Sequence, residues 1–407
     1  MTNYDVIEAY VEDFTYWTLD NTGITSTPKK IVIPTGTELK YVIAFRGFNS
    51  FTAGFDIKYT GNAVITYRYN KEDGTVGTIA IDKSGIYHLP ASVRAQKNFG
   101  FYCNPQTVTE EATIEQLPTS ILKDLSGNGN HAYLYGGKGK LNSGMGVYQI
   151  DFTSYSKTSV VADVSHNTVK VVPAANNYLF VRYATTEMPA YTVNVQNLGN
   201  NVLTYQYATE NGRQEITLTE GINEIPESIK AENPYQVGFY VSAGTGEITI
   251  TQIPDYPNQL CYDGKSYAVC YGFPILTDYT VMAERTWFER QNRACFLPKI
   301  TTSGTGAFGF EFYNEYNEDA TYSFGRVNNV EQFKDGITYQ ITNSYNGIVK
   351  LDYIVNGKDN AELYIGKLRP SERSAFIGCH GKIIIADRSF TEEEIDWIKE
   401  NIYNIKI

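Results

Sequence analysis

The sequence lacks several features that define large classes of proteins. No apolar run approaches the roughly 20 residues that a membrane-spanning helix needs, so membrane insertion is not expected. Basic residues are also few, since 34 Lys and Arg stand against 45 Asp and Glu and the net charge is −11. A nucleic-acid-binding protein carries a basic surface for the phosphates. Nucleic acid is therefore excluded as an expected partner.

The N-terminal stretch has no basic n-region and no apolar h-region, and so it lacks the marks of a signal peptide. This predicts synthesis in a cytoplasm. Cysteine is scarce, and no CxxC spacing occurs. Cys261 and Cys270 flank a turn, so one interpretation pairs them in a hairpin disulfide. The other interpretation is free buried thiols throughout, as reduced proteins usually have.

Tyrosine is the abundant residue type. The 407 residues include 33 Tyr and 20 Phe but only 3 Trp. Aromatic and β-branched residues suit the half-buried faces of sheets. Hydrophobic residues make up 42% of the chain and charged residues 19%, which is enough apolar material for folded cores. The composition therefore predicts an all-β protein of two or three domains.

Four short motifs occur twice, in the same order and at nearly the same spacing. They are DFT (Asp13–Thr15 and Asp151–Thr153), GNAVITYRY and GNNVLTYQY (Gly61–Tyr69 and Gly199–Tyr207), GFY (Gly100–Tyr102 and Gly238–Tyr240), and EQLP and TQIP (ending at Pro118 and Pro254). Such self-similarity indicates a duplicated structural unit. We predict a first copy over residues 1–118 and a second over residues 143–254.

Each copy has the pattern of a small antiparallel β-sandwich. In AVITYRY the side chains of Ile65, Tyr67 and Tyr69 alternate with more polar ones, which is the period of a strand. The dipeptides at 73–74 and 211–212 are Asp-Gly and Asn-Gly, which are typical of type I′ hairpin turns. Neither copy contains a convincing helix.

The remaining residues, 119–142 and 255–407, form one predicted domain that the second copy interrupts. Five segments carry its motifs: Asp124–His131, Asp263–Tyr267, Thr277–Val281, Val355–Gly357 and Phe376–Ile395. In this order they resemble the concanavalin A-like, or laminin-G-like, jelly roll. The resemblance covers all of the split domain and neither repeat, and it implies a jelly roll of two packed sheets. Insertion at a loop is tolerated because the ends of a small sandwich lie close together.

A single short helix is expected, near the C-terminus. Thr391 and Glu394 have the spacing of a capping box. Ile395, Ile398 and Ile402 then form an apolar stripe with Trp397 beside it. We expect this helix to plug one edge of the split sandwich.

The stretch DLSGNGNH begins at Asp124. It lacks the Lys-Ser/Thr of a phosphate-binding loop. Oxygen-bearing side chains alternate along it, but the spacing departs from that of an EF-hand. Two interpretations stay open. One is a calcium site with Asp124, Asn128 and Asn130 as ligands, calcium being the only cofactor expected. The other is a Gly-Asn turn that uses left-handed conformations.

No catalytic arrangement is recognisable in the sequence. A glycosidase needs two carboxylates that face each other across the sugar. The nearest candidate pairs, Glu311 with Glu315 and Glu284 with Glu289, do not have the alternation that would place them together. The four histidines, His88, His131, His166 and His380, are scattered. These patterns predict a protein that is not an enzyme.

Aromatic and polar residues cluster in FGFEFYNEYNEDATYSF, which begins at Phe308. Tyr313, Tyr316 and Tyr322 lie near its polar turn. Tyrosine beside Asn, Asp and Glu can stack on sugars and bond with their hydroxyls, and it suits protein contacts equally well. We predict these three tyrosines as ligand residues for a glycan or a protein.

A jelly roll that opens on this Asp-Gly-Asn turn, with tyrosine-rich β modules around it, resembles structural proteins of tailed phages of gut Bacteroidales, including crAss-like phages. Such proteins decorate heads or form fibres and tail appendages. The resemblance implies a non-enzymatic virion protein, made in the host cytoplasm, that contacts other virion proteins, further copies of itself and host surface glycans. The alternatives are a bacterial glycan-binding adhesin, which should carry an export signal, and a glycoside hydrolase.

Overall fold

A computed structural model describes residues 9–20, 23–136, 144–157, 161–173, 177–241, 244–274, 276, 278–289, 294–299, 310–313, 318–321, 340–341, 347–354, 362–367, 375–388 and 390–405. The regular structure of this part is almost entirely antiparallel β-strand. The predicted all-β class is confirmed. Within the described residues no helix has the length and hydropathy to cross a membrane.

The first module begins with a 3-10 turn over Phe14–Tyr16. Its strands are β1 (Thr18–Leu19), β2 (Thr25–Ser26), β3 (Lys30–Ile33), β4 (Glu38–Leu39), β5 (Val42–Arg46), β6 (Phe55–Thr60), β7 (Ile65–Asn70), β8 (Val76–Ile81), β9 (Gly85–Leu89), β10 (Phe99–Cys103), β11 (Gln106–Thr107) and β12 (Ala112–Gln116). They form two five-stranded sheets, β1-β5-β10-β7-β8 and β2-β3-β12-β6-β9, and the pair β4-β11. One aromatic-rich core lies within this module.

Three strands follow: β13 (Ile121–Leu122), β14 (Ala132–Tyr135) and β15 (Gly144–Val147). The second module begins with a 3-10 turn over Phe152–Ser154. Its strands are β16 (Ser156–Lys157), β17 (Val161–Val164), β18 (Thr168–Val171), β19 (Asn177–Tyr183), β20 (Tyr191–Gln196), β21 (Leu203–Thr209), β22 (Gly212–Leu218), β23 (Gly221–Ile225), β24 (Gln236–Val241) and β25 (Ile248–Ile253). The sheets are β16-β19-β24-β21-β22 and β17-β18-β25-β20-β23, which is the strand order of the first module.

The last segment contains β26 (Asp255–Asp263), β27 (Tyr267–Cys270), β28 (Asp278–Glu289), β29 (Phe310–Tyr313), β30 (Glu318–Thr321), β31 (Gln340–Ile341), β32 (Gly347–Ile354), β33 (Leu363–Ile365), β34 (Ile377–Ala386) and the helix α1 (Glu392–Asn401). The sheet β13-β14-β27-β33 and the sheet β15-β26-β34-β28-β32-β31 contribute to one core. We call this pair of sheets the split sandwich. Strands β29 and β30 pair separately.

The second module leaves and re-enters the split sandwich at a single place. Strand β15 leads into it, strand β26 leads out of it, and the two pair antiparallel. Gly144 lies opposite Cys261 and Val147 lies opposite Asp255. Residues 144–147 therefore belong to a sheet of the split sandwich, although the sequence motifs had grouped them with the second copy. Strands β15 and β26 can pair because the chain enters and leaves the inserted module at the same place in the sheet.

The DFT motif caps the short turn that opens each module. Asp13 Oδ1 accepts a hydrogen bond from the Thr15 N–H at 2.9 Å, and Phe14 between them is fully buried. The second module repeats this arrangement with Asp151 and Phe152. The carboxylate satisfies a backbone donor at the start of the turn, and the phenyl ring enters the core.

The GFY motif is explained by close approach of two backbones. Gly100 and Gly238 have φ of 151° and 135°. A Cβ atom on Gly100 would overlap the carbonyl oxygen of Ala44 on the neighbouring strand, and one on Gly238 would overlap that of Phe180. Only glycine fits both the conformation and the space.

A buried glutamine ties the entry of each module to its last strand. Gln116 accepts hydrogen bonds from the N–H groups of Val11 and Glu12 at 3.1 and 2.8 Å, and donates to the Glu12 carbonyl at 2.8 Å. Gln252 makes the same three bonds with residues 149–150 at 2.7–3.0 Å. We call this arrangement the glutamine clamp.

The predicted hairpins form, but their turns are not of type I′. Strand β7 pairs with β8, and β21 pairs with β22. Gly74 and Gly212 have φ of 80° and 89°, whereas neither Asp73 nor Asn211 has a positive φ. A type I′ turn needs a positive φ at both central residues. Here one left-handed glycine completes each turn.

The helix α1 has the predicted capping box, since Thr391 and Glu394 exchange side-chain-to-backbone hydrogen bonds. Its position differs from the prediction. Ile395 and Ile398 pack against Met282 and Ile384, on the central strands β28 and β34. The helix therefore covers the outer face of the six-stranded sheet and not an edge, because that face would otherwise expose apolar side chains.

All five cysteines are buried, and none forms a disulfide. Cys261 lies in the six-stranded sheet and Cys270 in the four-stranded sheet. The hairpin disulfide considered from the sequence is therefore wrong, and the interpretation as buried thiols is confirmed. The turn between these two cysteines carries the chain from one sheet to the other.

The glutamine clamp generates a stability prediction. We expect Gln116→Met to lower the free energy of unfolding by roughly 2–4 kcal/mol, because each buried backbone group left without a partner costs about 1–3 kcal/mol. The measurement is urea-induced unfolding of the full chain. The control is Gln214→Met, at an exposed position of β22, which should stay within about 0.5 kcal/mol of the wild type. Equal effects of the two substitutions would contradict the role of the clamp.

Candidate functional site

Asp124 closes the glycine-rich loop with both of its carboxylate oxygens. Oδ1 accepts a hydrogen bond from the Ser126 N–H, and Oδ2 accepts one from the Asn130 N–H, each at 2.8 Å. Gly127 and Gly129 have φ of 88° and 78°, which glycine adopts at little cost. One carboxylate thus holds a tight turn at the entry to β14.

The electrostatics keep this carboxylate ionised. Hydrogen bonds from the Ser126 hydroxyl and from the backbone hold the pKa of Asp124 below its usual range. His131 Nδ1 accepts a hydrogen bond from the Asp124 N–H at 3.0 Å. No group of three or more His, Cys, Asp or Glu within the described residues is arranged to hold a metal ion. Calcium binding by Asp124, Asn128 and Asn130 stays a prediction.

The three predicted ligand tyrosines fall largely outside the described residues. Tyr313 ends β29, where its backbone lies opposite Glu318 of β30. The side chain of Tyr313, and the whole of Tyr316 and Tyr322, lie outside the part of the chain that the structure describes. Their role in binding a glycan or a protein therefore stays a prediction.

One of the glutamates weighed as a glycosidase residue has a defined environment. Glu284 accepts a hydrogen bond from the Gln259 side chain at 3.1 Å. The register of β28 against β34 shifts twice between Ala283 and Glu289. The hydrogen bond to Glu284 holds the side chain of Gln259, a residue of β26. Strand β26 is the strand on which the chain returns from the inserted module.

The outer face of the sheet β13-β14-β27-β33 is rich in tyrosine and packs against the first module. The rings of Tyr135 and Tyr267 stack at 5.1 Å, and the hydroxyls of Tyr135 and Tyr271 are 2.9 Å apart. The cluster joins residues of both units: Ile86, Leu117, Tyr133, Tyr135, Tyr267, Val269, Tyr271 and Tyr364. We call this contact the tyrosine joint. Sequence reasoning missed it, although tyrosines alternate through β14.

Polar contacts surround the tyrosine joint. Tyr133 donates a hydrogen bond to Asp56 Oδ2 at 2.7 Å, and burial together with Asp56 raises the pKa of Tyr133. The phenol therefore stays a donor. Lys58 Nζ lies 4.4 Å from the centre of the Tyr271 ring and 3.2 Å from Glu362. These contacts fix the orientation of the first module on the split sandwich.

A groove of about 410 Å³ lies beside the start of α1. Arg388 and Glu394 form a bidentate pair at 2.8 and 2.6 Å on its side, and Trp397 is 58% exposed. The lining residues are Arg388, Phe390, Thr391, Glu393, Glu394, Trp397 and Ile398. We call it the helix groove. In the sequence, this groove is indicated by Trp397, which lies outside the apolar stripe of the predicted helix.

The split sandwich contains a buried polar centre. His380 is buried, and its Nδ1–H donates to the Gly381 carbonyl at 2.8 Å. Its Nε2 therefore accepts from the Tyr262 hydroxyl at 3.1 Å. Burial lowers the pKa of His380 to about 4 and that of the neighbouring Arg285 to about 9. His380 is thus a neutral hydrogen-bonding residue of the core.

Comparisons with known proteins identify no family. No protein-family model matches the chain, and no curated protein matches it. Among solved structures, oxalate decarboxylase of Bacillus subtilis matches with 8% identity and a TM-score of 0.15, over 62% of this chain and 79% of that chain. A tryptophan-to-phenylalanine variant of that enzyme matches with 7% identity and a TM-score of 0.13, over the same shares. Similarity this low carries no argument about fold or function.

The polar centre generates a pH prediction. An unfolded chain protonates histidine near pH 6.5, whereas folded His380 resists protonation down to about pH 4. The unfolded state therefore binds more protons in this window. We expect the free energy of unfolding to fall by roughly 3 kcal/mol between pH 6.5 and pH 4 on this account. Urea-induced unfolding measured across this range checks the loss.

The substitution His380→Gln should remove most of this loss, because a neutral amide has no proton to gain. The matched control is His88→Gln, since His88 lies at the surface, and it should leave the loss in place. An unchanged pH profile for His380→Gln would show that other groups cause the acid sensitivity.

Proposed function

We propose that this chain is a non-enzymatic structural protein of a tailed-phage virion, working as a head fibre, capsid decoration or tail appendage. The sequence resemblance supports this proposal, and the tyrosine joint is the structural observation that favours it. Domains within one chain usually move unless a large apolar contact holds them. The buried tyrosine cluster and the ion pair beside it hold the first module against the split sandwich. A protein on the surface of a particle needs its domains held in a fixed arrangement of this kind.

The two modules also present different surfaces on one shared frame. The first module exposes Phe48 and Phe51, and the second exposes Val172 and Ile222. Exposed apolar side chains of this kind suit protein contacts. The difference supports separate partners for the two modules, namely other virion proteins and further copies of the chain.

The helix groove supports glycan binding as part of this function. A sugar ring has an apolar face that packs on an aromatic ring and hydroxyls that bond with charged planar groups. Trp397 supplies the aromatic surface, and the Arg388–Glu394 pair supplies fixed donors and acceptors. The groove is thus a second candidate beside Tyr313, Tyr316 and Tyr322.

The virion role predicts that antibodies raised against the purified chain label intact particles in electron micrographs. Mass spectrometry of gradient-purified particles should also detect the chain at a constant ratio to the capsid protein. Its mass in solution should be that of one discrete oligomer, because virion parts are commonly symmetric. Antibody labelling confined to host debris, together with the absence of the chain from purified particles, would contradict the proposal.

Glycan binding predicts a signal for the full chain on an array of defined sugars. Trp397→Ala should weaken binding about tenfold or more, equivalent to about 1.4 kcal/mol, because the stacking surface is lost. Tyr41→Ala is the matched control, since Tyr41 is a 68% exposed aromatic residue of the first module, and it should bind as the wild type does.

The array repeated without calcium and with Asp124→Asn separates the two sites. If sugar binding is lost without calcium and in Asp124→Asn but is kept in Trp397→Ala, the Asp124 loop is the binding site and the helix groove is excluded. Absence of any sugar signal would remove glycans as partners, while particle labelling would still decide the structural role.

A further inference from the structure

Two cysteines lie side by side on the outer face of the six-stranded sheet. Cys261 of β26 and Cys379 of β34 are directly opposite each other in the antiparallel pairing. Both are fully buried thiols outside any disulfide. The Cys379 thiol donates to the side-chain oxygen of Gln259 at 2.9 Å. The pairing partner of Cys261 is thus a residue far along the chain and not its sequence neighbour Cys270.

The strand pairing places the two cysteines at bridging distance. Residues directly opposite in an antiparallel pair have Cα atoms about 4.5–5.5 Å apart, and disulfides span Cα separations of about 4.4–6.8 Å. Leu260, Tyr262 and His380 face the core or its polar centre. Because side chains alternate along strands, both thiols point to the other face together.

The surroundings connect this pair to the root of the second module. The same row across the sheet has Gly144 on β15 and Thr286 on β28. Strand β15 is the edge strand of this sheet, and glycine adds no side chain beside Cys261. Tyr148, which follows β15, lies near the Cys261 thiol. Local opening of this edge would expose the pair to a small oxidant.

We propose that Cys261 and Cys379 are the site of an oxidative cross-link that staples the root of the inserted module to the centre of the split sandwich. A low-molecular-weight disulfide such as glutathione disulfide takes up two electrons and two protons and leaves as two thiols. The two cysteine sulfurs lose their hydrogens and join. The product ties β26, the return strand of the insertion, to β34, and closes a long loop in the unfolded chain.

The reactivity of the pair is limited by its burial. The neighbouring Cys261 thiol and burial raise the pKa of Cys379, and thiolates are the reacting form in disulfide exchange. The folded protein should therefore oxidise slowly in a reducing cytoplasm. It should oxidise steadily once it stands in an oxidising medium. The inference does not depend on the virion role.

The experiment is incubation of the full chain with excess glutathione disulfide. The intact mass is measured before alkylation, and alkylation under denaturing conditions and peptide mapping follow. We expect one peptide pair that links Cys261 to Cys379 and a mass lower by two hydrogens. Alkylated thiols should fall from the five present by two. The thermal midpoint should rise by several degrees, and dithiothreitol should reverse both changes.

Variants assign the cross-link. Cys270→Ser should keep it, whereas Cys261→Ser and Cys379→Ser should each abolish it and leave the remaining thiols unlinked. Because either of the latter could weaken the sheet, the peptide map of the wild type decides the matter by itself. Five unmodified thiols after long incubation, mixed disulfides with glutathione only, or a linked pair with other cysteines would each overturn the proposal.

Discussion

The pairing of β15 with β26 is the constraint on which the arrangement of the whole chain depends. These strands carry the chain out of the split sandwich and back into it, and they pair with each other directly. The inserted unit must therefore begin and end at nearly the same point. Gln252 meets this requirement, because its amide bonds residues 149–150 at the entry of the module to the strand that ends it. Without such a closure, the six-stranded sheet would lose its edge strand or its register.

The repeated motifs were readable from the sequence because each position requires one residue type. The backbone approach at Gly100 and Gly238 admits only glycine, the turn at Asp13 and Asp151 needs a short acceptor, and the clamp needs an amide with both a donor and an acceptor. Positions with such requirements therefore have the same residue in both copies. The capped C-terminal helix could be predicted for the same reason, since its first turn needs particular side chains at Thr391 and Glu394.

Contacts between distant faces leave no such trace. Tyr133 and Asp56 are 77 residues apart, and neither has a pattern that points to the other. The spacing of Cys261 and Cys270 suggested a hairpin, yet the turn between them crosses from one sheet to the other. Cys261 instead lies beside Cys379. Sequence separation predicts neighbours only where the local turn is known to stay within one sheet.

The abundance of tyrosine has a structural explanation that changes where a ligand site should be sought. Tyr59, Tyr67, Tyr205, Tyr262 and Tyr279 are almost fully buried in cores, and Tyr133 and Tyr135 belong to the tyrosine joint. High tyrosine content alone is therefore no argument for sugar recognition, since cores and a domain contact use much of it. A binding surface needs exposed rings beside oriented polar groups. Trp397, one of only three tryptophans, meets that condition beside the Arg388–Glu394 pair, which is why exposure rather than composition directs attention to the helix groove.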